Sequence, residues 1–354
     1  MKSFLSSRLS SLTPYVPGEQ PKQAVIVKLN TNESPFPPSK KAINFGKKAL
    51  KTTRLYCDIE CTALKKEFAK RYGVEENQLL FTNGSDEILY YAFNAFCDEK
   101  VGAVFPDITY GFYKVFANLN GIRYKEIPLK EDLSVDIKDY YSANATVFIA
   151  NPNAPTGKYL SVSDIEKIVK ENPNNVVVID EAYIDFGGES AVKLIKEYNN
   201  LLVTQTFSKS RSMAGARLGV GIANQKLIEN LKLIKFSTNP YNVNAVTQAS
   251  GLGSLKDEKY FKNNCKTIIE NREELISFLE SLGFYCTKSC ANFVFCKTDK
   301  ISGEKLQGLL RERGILVRHF KLPRISEYLR ITVGSKKQIK ILEKNITEIM
   351  ESIV

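Results

Sequence analysis

The chain has 354 residues, with 50 Lys+Arg against 39 Asp+Glu and a formal charge of +11. At 43% hydrophobic and 25% charged residues, the composition excludes collagen-like, disordered and coiled-coil chains, and no apolar run approaches the ~18 residues of a membrane-spanning helix. The length suits two or so domains, and the basic excess raises two kinds of partner, nucleic acid or a small anion.

In chain order, residues 1–18 carry Lys2 and Arg8, serines and no acid, a faint likeness to an organelle transit peptide. No apolar stretch of signal-peptide length follows Lys2, so the segment reads as an ordinary amphipathic start and the chain as cytoplasmic. Residues 25–29 read as a strand and the Lys-rich run 40–51 as helix-forming. Helix-like 61–71, 86–97, 110–118 and 161–170 then fall among strand-like 79–81, 101–105, 146–150, 176–179 and 201–206. Run 217–222 and helix 225–235 extend the pattern. Strands alternating with helices predict an α/β unit with a mostly parallel sheet. After about residue 250 the texture changes. A long helix over 257–282 precedes strands 284–286 and 292–296, helix 302–313, strands 315–318 and 328–333, and a last helix from 335. The expected organisation is a large domain over 31–250 and a smaller α+β domain over 251–354, with residues 1–30 packing on the latter.

Seven cysteines at 57, 61, 97, 265, 286, 290 and 296 form no CxxC pair, and the single histidine, His319, leaves little to complete a metal site. They read as buried or free thiols in a reducing compartment, with no metal.

Four local patterns carry chemistry. Phe81-Thr-Asn-Gly84-Ser85-Asp86-Glu87 is a strand, a glycine turn and a helix start, either a plain capping motif or an anion site made of backbone N–H groups. Asn151-Pro-Asn153-Ala154-Pro-Thr-Gly157 is a turn directly after a strand, and in isolation a connecting loop. Val176-Val-Val-Ile-Asp180-Glu-Ala-Tyr183 delivers a carboxylate to a strand end, where it could cap a helix, bind metal, act as a base or pair with a ring nitrogen. Thr206-Phe-Ser208-Lys209 places an amine at another strand end, and Arg217 follows between Gly215 and Gly219. Such a lysine can bond covalently to a carbonyl, and a hydroxyl with a forked guanidinium can hold a phosphate.

Their order along the chain resembles that of the fold type I aminotransferases, which use pyridoxal 5′-phosphate (PLP), and within them the histidinol-phosphate aminotransferases. Leu12-Thr-Pro-Tyr15-Val-Pro-Gly18, Lys28-Leu-Asn30-Thr-Asn32-Glu33-Ser-Pro35, Cys61-Thr-Ala-Leu64, Asn83-Gly-Ser-Asp-Glu87 and Tyr328-Leu-Arg330-Ile-Thr-Val-Gly334 carry the likeness, which spans nearly the whole chain. The resemblance implies that Lys209 binds PLP covalently and then moves the substrate proton. It implies that Asp180 pairs with the pyridine nitrogen, a charge that favours the protonated ring, and that Tyr183 donates to the 3′-oxygen. Tyr110 would stack on the ring. Ser208, Arg217 and the amides near Ser85 and Asp86 would hold the phosphate, joined by Tyr56 from the neighbouring subunit of a homodimer. Arg330 would bind a substrate carboxylate, and Arg318 with Tyr15 a distal phosphate or second carboxylate. The family usually has Asn directly before Pro-Thr-Gly-like turns; here that position is Ala154, and Asn153, one earlier, is the expected replacement. Tyr56 is followed by Cys57 where Pro is common.

The implied function is ping-pong transfer of an amino group from a donor, histidinol phosphate, to 2-oxoglutarate. Two readings stay open within the fold: a decarboxylase acting on threonine phosphate, and an aminotransferase for aromatic or other amino acids. A nucleic-acid-binding protein is disfavoured, because acidic residues interleave with the basic ones and no helix-turn-helix or finger motif is present. A non-catalytic scaffold is disfavoured by the presence together of Lys209, Asp180, Tyr183 and Arg217. Those arginines and Lys209 account for part of the basic excess, and the remaining lysines read as a solvated face.

Overall fold

A computed structural model describes residues 4–6, 9–10, 12–20 and 27–353. The first strand is Val27–Lys28 (β1); residues 25–26 of the expected strand, like Lys2 and Arg8, lie outside the described residues. Seven strands form the main sheet: Leu79–Thr82 (β2), Ala103–Pro106 (β3), Tyr124–Ile127 (β4), Thr146–Ala150 (β5), Val177–Asp180 (β6), Leu201–Thr206 (β7) and Gly219–Ala223 (β8). Their spatial order is β2-β8-β7-β6-β5-β3-β4. Only β8 runs against the others, so the sheet is mostly parallel.

Alternation along the central strands explains the layering. Val147 and Ile149, Val177 and Ile179, and Val203 face one core with Leu64 and Phe68 of helix α2 (Thr62–Tyr72) and Ile165 of α5 (Val162–Lys170). Phe148, Val178 and Leu202, one residue out of step, face a second core. There they meet Ile88 and Leu89 of α3 (Ser85–Phe96), Phe116 of α4 (Phe112–Asn120) and Leu231 of α6 (Gln225–Thr238). Successive side chains of a strand point to opposite faces, so both faces of this sheet are covered.

The remaining helices are α1 (Lys40–Ala49), α7 (Ala245–Leu255), α8 (Glu258–Ser281), α9 (Gly303–Glu312) and α10 (Lys336–Glu351). A second sheet, antiparallel throughout, is built from Tyr285–Cys286 (β9), Phe293–Lys297 (β10), Arg318–His319 (β12) and Leu329–Thr332 (β13), in the order β12-β13-β10-β9. β1 pairs in parallel with Ile315–Leu316 (β11). Val27 and Leu29 share a core with Leu275 of α8, Leu310 of α9 and Leu342 of α10. Among the described residues no helix is long and apolar enough to cross a membrane.

Three stretches differ from the sequence expectation. β4 reads YKEI, with exposed Lys125 and Glu126 at the sheet edge, so it lacks an apolar run. Helix α7 reads AVTQASGLGSL, small residues without an amphipathic stripe. Their smallness is what α1 requires: a Cβ added at Gly253 would stand 2.5 Å from the Lys41 carbonyl oxygen. The expected strand over 315–318 divides into β11 and β12, which join different sheets.

Candidate active site

In open α/β sheets, ligands sit at the carboxyl ends of parallel strands. β2, β3, β5, β6 and β7 all end at one edge, and reversed β8 begins there. That edge therefore collects Ser85 after β2, Tyr110 after β3, Asp180 closing β6, Ser208 and Lys209 after β7, and Arg217 before β8. All six line one cavity, together with Tyr183. Among the described residues Lys209 is the only lysine lining it or the wider opening that continues from it. Its Nζ donates to the Thr31 carbonyl oxygen at 3.3 Å and lies 5.9 Å from the Tyr183 ring centre.

Asp180 forms the buried wall. Its Oδ2 accepts from the Tyr113 hydroxyl at 3.3 Å, while its buried Oδ1 has no partner. Burial pushes its carboxyl up to about 7, with Asp86 adding in the same direction. Tyr113 is driven well above the usual phenol range, by burial first and Asp180 second, so it stays a neutral donor. A buried carboxylate oxygen without a partner is suited to accept from a cationic N–H donor.

The opposite end is cationic. Arg217, itself in the left-handed region at φ 54°, donates to Asp86 Oδ2 at 3.1 Å and to Ser208 Oγ at 3.4 Å. Asp86 Oδ1 accepts from the Tyr110 hydroxyl at 2.6 Å. The N-cap of α3 is Gly84, at φ 80°, and not Ser85 or Asp86. The reason is steric: a Cβ there would run into the Arg217 guanidinium. With no side-chain cap, the first-turn N–H groups of α3 are left for a ligand. A Cβ at Gly219 would collide with the backbone at Gly84 and Ser85. Gly219→Ala is therefore expected to cost about 1–3 kcal/mol of stability as overpacking. Thermal unfolding checks the effect.

The second sheet supplies the other wall. Arg318 and Arg330 are direct cross-strand partners in β12 and β13. Like charges in that position repel. Among the described residues neither is ion-paired, and both line the wider opening with Tyr15. Arg330 donates to the Asn30 carbonyl oxygen at 3.2 Å and its Nε is buried without a partner. Arg318 reaches the Val16 carbonyl oxygen at 3.4 Å. Tyr15 stacks on Phe112, with ring centres 4.2 Å apart.

Two expected residues stand apart. Asn153 does not line the cavity: its Nδ2 donates to the Ile108 carbonyl oxygen (3.0 Å) and Thr156 Oγ1 (3.1 Å), and its Oδ1 accepts from Thr109 (2.7 Å). Its amide is spent on holding two loops together, and Ala154 presents a methyl group to the cavity instead. Tyr56 lies outside this chain's cavity, 83% exposed and stacked on Tyr241 at 4.4 Å. Three contributors had no role assigned from the sequence. Tyr113 was signalled only by helical spacing from Tyr110, whereas Thr31 and Asn32 lie in a polar run quoted for the family likeness alone, with no periodic pattern. Asn32, at φ 56°, donates from Nδ2 to the Tyr183 hydroxyl at 3.0 Å.

The arrangement suits an aromatic ligand with a protonated ring nitrogen at one end and a phosphate at the other. An amine stands beside it, and a second anion site opens outward. The aminotransferase class I and II family model matches residues 24–346. The chain is 46% identical over 349 residues to the histidinol-phosphate aminotransferase of Clostridium acetobutylicum, covering 98% of this chain and 99% of that protein. The histidinol-phosphate aminotransferase of Brachyspira hyodysenteriae is also 46% identical, over 99% of this chain and 100% of that protein. The crystal structure of the Sinorhizobium meliloti histidinol-phosphate aminotransferase in complex with pyridoxal-5′-phosphate shares the fold. Its TM-score is 0.91 at 21% identity, covering 100% of this chain and 99% of that one.

Proposed function

We propose that this chain, which belongs to the class I and II aminotransferases, transfers the amino group of histidinol phosphate to 2-oxoglutarate by a ping-pong mechanism with PLP as cofactor. The observation that carries the substrate reading is the arginine pair. Two guanidiniums stand opposite each other across β12–β13, without a carboxylate among the described residues, at the mouth of the cavity that holds Lys209.

The cavity fits the cofactor, since the orphaned Asp180 Oδ1 matches a ring N–H and the uncapped start of α3 with Arg217 matches a phosphate. Ser208, Arg217 and the first turn of α3 would hold the phosphate, Asp180 the ring nitrogen, Tyr183 the 3′-oxygen and Tyr110 the ring face. When bound, the cofactor draws electrons from the substrate Cα so that its proton can leave. Lys209 Nζ takes that proton and returns it on the other side of the transfer, which is general acid–base work by a positioned amine. Thr31 holds the amine near its working place through its carbonyl. Arg318 and Arg330 serve both half-reactions, binding the donor's phosphate in one and the carboxylates of 2-oxoglutarate in the other; their planar forks suit both anions. Sharing one anion site between two substrates implies that the first product leaves before the second substrate enters.

The site is read as completed by a second copy of the chain. Tyr56, Leu55, Leu233 and Tyr241 are exposed, and Lys235 Nζ on the Ile59 carbonyl oxygen at 2.6 Å brings the two segments together. Such an apolar surface suits an interface, from which Tyr56 would reach the neighbouring phosphate end.

A panel of amino donors with 2-oxoglutarate tests the substrate, with histidinol phosphate expected to give the highest kcat/KM. Arg318→Ala should raise KM for histidinol phosphate roughly 10–100-fold, the loss of one charged hydrogen bond. An unphosphorylated aromatic donor should change much less. Preference for such a donor, or carbon dioxide release from threonine phosphate without a keto acid, would replace this reading.

A further inference from the structure

Asn32 sits between the two sheets and is 1% exposed, in a left-handed conformation that Asn and Asp tolerate best among residues with a side chain. Its hydrogen bonds fix the orientation of its side-chain amide. Its backbone N–H donates to Thr332 Oγ1 at 2.9 Å. That leaves the Thr332 hydroxyl proton to be given to Asn32 Oδ1, 3.1 Å away. Oδ1 is thus the acceptor, and the NH2 group is the end that faces Tyr183 at 3.0 Å. An amide NH2 has no lone pair to offer. The Tyr183 oxygen must accept, and its own proton must turn elsewhere. Among the described residues no protein group takes that proton, and Tyr183 faces the cavity. The Asn292 amide, donating to the Asn32 carbonyl oxygen at 3.0 Å, anchors the backbone of the relay.

We propose that Asn32 and Thr332 are positioning residues that set the direction of the Tyr183 hydroxyl proton, making Tyr183 an obligate donor to the ring oxygen of the bound cofactor. Both act through Tyr183. The relay also strengthens the donor, since an O–H whose oxygen accepts a hydrogen bond is more polarised. This inference rests on the role given to Tyr183 above.

The test is a pH titration of the cofactor's absorbance in the holoenzyme, without substrate, with the cofactor's Kd measured alongside. A donor favours the anionic form of the oxygen it touches, so its loss moves the titration midpoint up. Tyr183→Phe and Asn32→Asp should each raise the midpoint by about one pH unit. The aspartate keeps the shape and the backbone conformation, but it offers only acceptors, so it recaptures the phenol proton. Thr332→Val frees the amide to turn over and should give a smaller rise, while Thr332→Ser restores the wild-type midpoint. The double variant Asn32→Asp/Tyr183→Phe should move no further than Tyr183→Phe, because both remove one interaction. A Tyr183→Phe enzyme with an unmoved midpoint would sink the reading of Tyr183 and this inference together. A shifted Tyr183→Phe beside unshifted Asn32→Asp and Thr332→Val, or additive shifts in the double variant, overturns the inference alone.

Discussion

Lys209→Ala is expected to lose roughly 10⁴-fold or more of turnover, the upper end of what a positioned proton-transfer group contributes. Among the described residues no second amine can substitute, because Lys209 is the only lysine of these lining the cavity. The protein should fold normally, since the removed amine makes one long bond to the Thr31 carbonyl oxygen and no ion pair. Turnover with saturating cofactor and near-unchanged thermal unfolding are the paired measurements. A small primary amine added to the solution should recover part of the rate, because what is missing is a base and not a scaffold. A variant that keeps a tenth of wild-type turnover would remove Lys209 from the mechanism.

Asp180 produces a loss of comparable size together with an opposite effect on stability. With Asp180 on the ring nitrogen as proposed, Asp180→Asn would leave that nitrogen facing a neutral amide. Breaking one side of a buried charge pair costs about 3–5 kcal/mol, equivalent to roughly 10²–10⁴-fold in rate. The cofactor-free protein should respond the other way. Burial raises the Asp180 carboxyl to about 7, well above its ordinary range. Between about pH 4 and pH 7 the native state then binds more protons than the unfolded chain, so stability falls as pH rises through that window. Asp180→Asn removes this contribution and should make the cofactor-free protein more stable than wild type at pH 8, with a shallower pH slope. Some slope persists, because burial raises Glu181 to about 7 as well. Denaturant unfolding of both proteins at pH 5 and pH 8 measures the difference. Equal slopes would show that Asp180 ionises in the cofactor-free cavity as readily as in the unfolded chain, so that burial does not hold its carboxyl up.

Much of this site was legible because strand ends are legible. An apolar run that stops at a polar residue marks both the strand and what it delivers, as in VVID ending at Asp180 and LLVTQT leading to Ser208 and Lys209. The structure brings those residues, with Tyr110, Tyr183 and Arg217, to one cavity. What stayed hidden was set by contacts far apart in sequence. Asn32 gained its meaning from Thr332, and Tyr113 from Asp180. Adjacent residues misled for a related reason. Asn153 and Ala154 differ by one position, but the turn aims Asn153 at Ile108 and the methyl of Ala154 at the cavity. Turn geometry decides such matters, and a polar residue type does not reveal it. Strand β4 was missed because an edge strand can be charged, and α7 because close helix contact asks for small residues rather than an apolar stripe.

The reversal of β8 also has a kinetic side. It is this strand that carries Arg217 against Asp86, a pair 131 residues apart. Contacts so distant must close a long loop before they return any energy, and they tend to form late in folding. The anion-binding end of the site is thus assembled only when the β2–β8 seam is shut. A chain arrested with β8 unpaired would carry Lys209 after β7 yet lack Arg217, and under the proposed reading it would be left with Ser208 and the first turn of α3 to hold a phosphorylated ligand, so that loose retention reports an open β8 seam.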